Sequence, residues 1–363
     1  MTTAARLSQA WTIARLQLLR VFFSKRSFWV YGLAIFPSII FFGHGLEIKI
    51  RTQRWGAQKT TPAAMETIRE GDSEEDVLKI AGKPIQDYND NRRRRGRRDR
   101  DEDREQPSRR YMMYFDGSQR WDLNFEAGIL HNKHSRRIID FEEDRRIFAA
   151  IFQFFYLRLA IFFGCLGIFM NLFRGEMLDK TLHFWFLAPA RRETLLAGKY
   201  LAGLIASVLI FTAGAALCFA AMVWPQDPAQ VAAFWRGQGP SHLFWYAASA
   251  ALGCVGYGSV FLAAGLLLRN PIIPAVVILS WESINGILPS MLQKLSVLYY
   301  VQSLCPVPAP MDPGAPLLIR LLTAPAEPPS AAVAVFGLLG LTALVLWAAS
   351  RAVKRLEINY GVD

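Results

Sequence analysis

Long apolar runs with almost no charge, separated by charged segments, constrain this chain of 363 residues more than any other feature. Such runs of about 17–25 residues have the length a helix needs to cross a bilayer core of roughly 30 Å. Six are present: Phe28 to His44, Phe148 to Phe173, Tyr200 to Val223, Phe244 to Leu268, a run from Pro271 to near Leu292, and Ala331 to Ala349. Hydrophobic residues make up 52% of the chain, which is ordinary in itself; their collection into blocks is not. The sequence predicts an all-α polytopic membrane protein with six transmembrane helices, and a lipid bilayer as its first partner.

Ahead of the first run, Ala5 to Phe23 reads as an amphipathic interfacial helix. Leu7, Trp11, Ala14, Leu18 and Phe22 fall on one face, and Arg6, Gln9, Gln17 and Arg20 elsewhere. No cleavable signal peptide is expected at this end. Orientation follows from the short basic loops. Arg15, Arg20, Lys25 and Arg26, the loop bearing Arg174, Lys180, Arg191, Arg192 and Lys199, then Arg269 and the basic C-terminal tail all fall on one side of a six-span chain. That side is predicted to be cytoplasmic, with both termini on it, in a plasma (bacterial inner) membrane. The loops Trp224 to His242 and Gln293 to Ser330 are poor in Lys and Arg and are assigned outside. The net charge of +11 sits beside apolar blocks and in one low-complexity run, so it does not point to nucleic acid. Cys165, Cys218 and Cys254 lie within apolar blocks, no C-x-x-C occurs with Cys305, and no metal site is predicted.

Three regions follow: 1–46 with the interfacial helix and first span, an insert over 47–146, and 147–363 with spans two to six. Within the insert, Asn89 to Arg110 carries an arginine-rich run that cannot bury a core and is expected to be disordered. Around it the pattern is that of a small α+β domain. Ser73 is an N-cap followed by Glu74, Glu75 and Asp76, and Gly82 with Pro84 ends the helix. Tyr111 to Phe115 reads as a strand, Asp116-Gly117 as a hairpin turn, and Trp121, Leu123 and Phe125 alternate with polar residues before a turn at Gly128. Gly71, Ser73, Val77, Gly82, Pro84 and the aromatic strands resemble the SmpA/OmlA (BamE-like) domain of small envelope lipoproteins. That resemblance implies a protein-contacting extracytoplasmic domain, with an envelope protein as partner. The arginine run adds an attraction to anionic lipid.

The loop from Arg174 to Lys199, RGEMLDKTLHFWFLAPARRETLLAGK, is too patterned for a mere connector. Glu176, Met177, Lys180, Thr181 and Phe184 suggest a short amphipathic helix ended by Pro189, after which Arg191-Arg192-Glu193 opens the next helix. With Glu176, Thr181-Leu182, Pro189 and Arg192, then Gly198-Lys199, this stretch resembles the membrane subunits of ABC-2-type transporters. The six-span plan and the amphipathic N-terminal helix agree. The resemblance implies a permease subunit, an exporter by family default, that pairs with a second permease subunit, identical or paralogous. It also implies a coupling loop, 174–199, pressed into a cleft of a cytoplasmic ABC ATPase. ATP would be bound by that partner, and no cofactor is expected on this chain, which has no G-x-x-x-x-G-K-[ST] phosphate loop.

Arg158 within span two, and Glu282 with Asn285 within span five, are costly at membrane depth and mark either a buried ion pair or the lining of a pathway. No catalytic residues are assigned. His44, His131, His134, His183 and His242 are scattered and H-E-x-x-H is absent. Two other classes stay open at this level: a non-transporting envelope scaffold and an intramembrane hydrolase.

Overall fold

The computed structural model describes residues 3–23, 28–89, 109–178, 185, 187, 191–268, 270, 272–285, 288–308 and 329–354. Residues 90–108 of the arginine-rich run and the loop residues Lys180, Thr181, Phe184 and Pro189 lie outside them, while the ends of that run, Asn89 and Arg109-Arg110, are paired strand rather than the disorder expected. The chain divides into two compact units: Phe42–Phe141 with Val223–Val231, and the segments Met1–Phe41, Glu142–Met222 and Ala232–Asp363.

Among the described residues, five helices are long and apolar enough to cross a membrane. After α1 (Thr3–Phe23) comes α2 (Phe28–Gly56), which runs on through Glu47, the residue at which the sequence predicts a domain boundary. An i,i+4 ion pair between Glu47 and Arg51 supports this extension.

The smaller unit carries α3 (Pro62–Thr67), α4 (Glu74–Ala81) and the strands β1 (Gln86–Asn89), β2 (Arg109–Phe115), β3 (Gln119–Glu126) and β4 (Ile129–Arg137). The strands form an antiparallel meander in the order β1-β2-β3-β4. Ser73 caps α4 by accepting from the Asp76 amide at 3.3 Å, and Gly82 stops the helix at a φ of 76°. Met65, Ile68, Val77, Met112, Tyr114, Leu123, Phe125 and Leu130 form the core between helices and sheet. Arg110 forks onto Asp87, with N–O distances of 2.9 and 2.7 Å, and reaches Glu74 at 2.7 Å, tying β1, β2 and α4 together.

The β2–β3 turn is built on the Asp116 carboxylate. It accepts from the amides of Ser118 and Gln119 at 2.8 and 2.7 Å and from the Trp121 indole at 2.8 Å. Burial works to raise its pKa, but the bonds from Trp121, Gln119 and Ser118 outweigh burial and hold the value below that of ordinary aspartate. A depressed folded-state pKa contributes stability that is present above the unfolded pKa and lost as pH falls through the folded one. Asp116→Ala should therefore destabilise this unit by roughly 1–3 kcal/mol. Hydrogen exchange on the full-length protein should show faster exchange in β2 and β3, and unchanged protection there would contradict the role.

The larger unit is built around the buried helix Gly239–Leu267. Besides α1 and the first half of α2 it holds α5 (Phe141–Ile151), a π-helical segment (Phe152–Ala160) and α6 (Ile161–Leu178), continuous with one another, then α7 (Arg192–Val223), the second half of α8 (Pro228–Arg236) and α9 (Gly239–Leu267). The first turn of α5 holds Glu142, Glu143 and Asp144, favourable at a helix N-terminus. Helix α9 packs most extensively against α6. Tyr246 meets Phe148 and Phe152, a Cβ at Gly258 would strike Phe169, and one at Gly265 would strike the Met170 backbone, so α9 runs parallel to α5–α6. Small residues on this seam let the backbones approach.

The expected fifth span is not one helix. It is α10 (Ile272–Ile284), only 13 residues, followed by α11 (Ser290–Gln293) and α12 (Val297–Ser303). At 1.5 Å per residue α10 extends about 20 Å, short of a bilayer core of roughly 30 Å. The proline at 289 disfavours helix at the residue before it, and Ser296 starts a new helix by accepting from the Tyr299 amide at 3.0 Å. The stretch from Gln293 to Ser330, expected as a loop, thus begins with a helix of its own. Val297 packs where a Cβ on Gly256 would stand, beside Leu338 of α13 (Ala331–Lys354).

Candidate functional site

Two polar centres are built into the larger unit. The first lies where α1, α6 and α7 meet. Glu176 is in the last turn of α6 and Lys199 two turns into α7. Lys199 Nζ donates to Glu176 Oε2 at 2.5 Å and to the Leu172 carbonyl at 2.5 Å; its side chain is 0% exposed and that of Glu176 8%. Gln17 of α1 donates to Glu176 Oε1 at 2.7 Å, and Arg20 stands 3.9 Å from the same oxygen. Lys199 also lies 4.8 Å from the Phe173 ring centroid and 5.7 Å from that of Trp185 in the loop. Burying two ions costs several kcal/mol each, so such a pair persists only where further hydrogen bonds satisfy it, as Gln17 and Leu172 do here.

Gly198 completes this joint. A Cβ there would strike the Ala10 carbonyl and Ile13, so glycine lets α1 lie directly on α7. The buried face of α1 is Ile13, Ala14, Gln17 and Val21, while Leu7 and Trp11 are exposed. The stripe read from sequence thus divides into a packed side and an open apolar side. Gln17 was the residue that sequence reasoning missed. Its signal is a polar side chain set between Ile13 and Val21 at i,i+4 intervals.

Arg192 is not part of that joint; it makes a second one. Its Nη1 donates to the carbonyls of Lys354 at 3.2 Å and Val353 at 3.4 Å, capping the C-terminus of α13, and Lys354 returns to Glu193 at 2.5 Å. Both ends of the loop, at Glu176 and at Arg192, are thereby tied to other helices. The ends of α6 and α13 and the start of α7 lie at the same end of this unit.

The second centre is the break after α10. Arg158 meets Glu282 there, with Asn285 one turn beyond Glu282, but not as the ion pair expected from sequence. Glu282 turns its carboxylate onto the start of α12: Oε2 accepts from the Ser296 hydroxyl, and Oε1 from the amides of Val297 at 3.1 Å and Leu298 at 3.4 Å. Arg158 Nη2 instead donates to the backbone carbonyl of Glu282 at 3.3 Å. Three otherwise orphaned donors at a helix start outcompete one guanidinium for the carboxylate. Ser296 was legible as an N-cap before Val297-Leu298-Tyr299-Tyr300, but its tie to Glu282 was not. Among the described residues no group of His, Cys, Asp or Glu is arranged to hold a metal ion. Comparison with protein-family profiles and with curated proteins returned no match.

Proposed function

We propose that this chain is the membrane-spanning permease subunit of an ABC-2-type transporter, an exporter driven by a separate cytoplasmic ATPase and paired with a second permease subunit. The observation that carries this reading is the buried joint of Gln17, Glu176 and Lys199. It fastens the N-terminal helix and two membrane helices around the loop that resembles a coupling loop. A loop that receives force from a partner must pass it to the membrane without yielding. Here one end is held by a buried ion pair and the other by Arg192 on the end of α13. Leu187, exposed within the loop, is available to enter a cleft on the ATPase.

The direction of the helices supports six crossings. Helix α9 ends beside Met170, and α13 ends beside Arg192 at the same end. The chain between them must return to the opposite end, and α10 and α12 lie in series along that route. Glu282 stands at Arg158 and the Val307 carbonyl at Gln153, nearer the α5 end. Counting this broken helix as the fifth span returns both termini to one side, which the basic short loops make the cytoplasmic one, and leaves the insert outside, where it would contact an envelope protein. Non-helical backbone at such depth is tolerated where protein buries it.

Co-expression with a cognate ATPase tests the proposal. The pair should co-purify, and ATP hydrolysis should depend on the permease. Arg192→Ala should leave assembly intact and reduce permease-dependent hydrolysis and transport by about 10-fold, the equivalent of about 1.4 kcal/mol of coupling. Undiminished transport by this variant, or failure of any ATPase to associate with the wild-type chain, would overturn it.

A further inference from the structure

The break between α10 and α12 leaves a cation short of partners. Arg158 lies in the π-helical segment, near the middle of the continuous helix from Phe141 to Leu178. Segments of this kind recur at functional sites because they displace side chains from the ordinary helical register. Of its five N–H donors, Nη2 reaches the Glu282 carbonyl at 3.3 Å, while Nε is buried with no hydrogen-bond partner among the described residues. The adjoining carboxylate is committed to Ser296, Val297 and Leu298. One turn beyond Glu282, Asn285 is 9% exposed and its Oδ1 is buried without a partner among the described residues. A guanidinium at this depth normally faces an anion or a wet cavity.

The approach to this point lies along α10. That helix buries only Pro274, Ala275 and Glu282, and leaves Ile272, Ile273, Val276 and Val277 exposed. Acyl chains would cover such a face without displacing protein contacts, while a headgroup at the end of the helix meets Arg158. An oxyanion suits the planar guanidinium fork, and a hydroxyl on the same headgroup suits the Asn285 acceptor.

We infer that Arg158 and Asn285 form a binding site for the phosphate-type oxyanion headgroup of an anionic amphiphile that enters sideways from the bilayer past α10. This deepens the permease reading by naming a class of cargo, and rests on it for the word cargo alone, since binding requires no ATPase.

The test uses the full-length protein in nanodiscs of phosphatidylcholine with phosphatidylglycerol, scored by native mass spectrometry of retained lipid. A parallel arm measures thermal stabilisation by inorganic phosphate. Wild type should retain phosphatidylglycerol over phosphatidylcholine, and Arg158→Gln should retain it about 10-fold more weakly, the loss expected for a charge-assisted hydrogen bond. Asn285→Ala should fall between them. Equal retention by wild type and Arg158→Gln, or no preference for the anionic lipid, would overturn the site. Stabilisation by inorganic phosphate that disappears in Arg158→Gln would put a water-borne anion there and overturn entry from the bilayer. If Arg158→Gln does not fold, Arg158→Lys takes its place: a point ammonium cannot fork onto an oxyanion, so retention should still drop, and unchanged retention would overturn the proposal. Arg158-dependent retention without any associating ATPase would leave the site standing and remove the permease reading.

Discussion

Lys199→Ala should lower the stability of the larger unit by about 3–5 kcal/mol, the cost of removing one partner of a buried ion pair. The ammonium is fully buried against Glu176 and the Leu172 carbonyl, and its removal leaves Glu176 with the Gln17 amide on one oxygen and no lysine on the other. Unfolding in a denaturing-detergent titration would report the loss. Trypsin would report its location, because α1 is held here by Gln17 and by its close approach to Gly198, so cleavage at exposed Arg15 and Arg20 should accelerate. The double change Lys199→Met with Glu176→Gln should cost far less than Lys199→Ala alone, since neither ion then remains buried. A loss for Lys199→Ala no larger than that of an exposed helical pair, about 0.3–0.5 kcal/mol, would mean that the joint is solvated and transmits nothing.

The sheet unit was the most legible part of the chain, because its signals are local. The Ser73 cap, the stop at Gly82 and the Asp116-Gly117 turn are each fixed by residues within four positions of one another. The loop joint was legible only by halves. Glu176 and Lys199 stand out as residues of a recognisable pattern, but their meeting depends on the rotational phase of two helices, which the pattern does not set. Gln17 lies far from both in sequence and belongs to a helix whose apolar residues cover most of its surface, so hydropathy alone could not choose its buried face. The fifth span was misread for a different reason. A run from Pro271 to Leu292 averages as apolar, and the average hides the places where backbone bonding must stop. Pro289 and Ser296 mark those places, and Glu282 supplies the acceptor that makes the break tolerable in an apolar setting.

Glu282→Ala should therefore be among the most damaging single changes in the larger unit, with a loss of about 3 kcal/mol or more. It removes the acceptor for the Ser296 hydroxyl and for two amides at the start of α12, and each buried donor left unmet costs about 1–3 kcal/mol. Glu282→Gln should cost less, since its carbonyl oxygen still accepts from Val297 and Leu298, while its amide nitrogen no longer accepts from Ser296. Ser296→Ala should cost more than Glu282→Gln, because it also removes the cap on the Tyr299 amide, and the double variant should lose little beyond Ser296→Ala alone, because the Ser296–Glu282 bond is already gone. Exchanging the two charges, Arg158→Glu with Glu282→Arg, should fail to rescue. Arginine accepts no hydrogen bond and cannot cap the amides of α12, whatever the new glutamate offers on the facing helix. A simple Arg158–Glu282 ion pair requires the opposite: rescue on exchange, and a large coupling energy between Arg158→Gln and Glu282→Gln. Melting of these variants in detergent decides between the two, and stability restored by the exchange would show that the carboxylate serves the guanidinium rather than the start of α12.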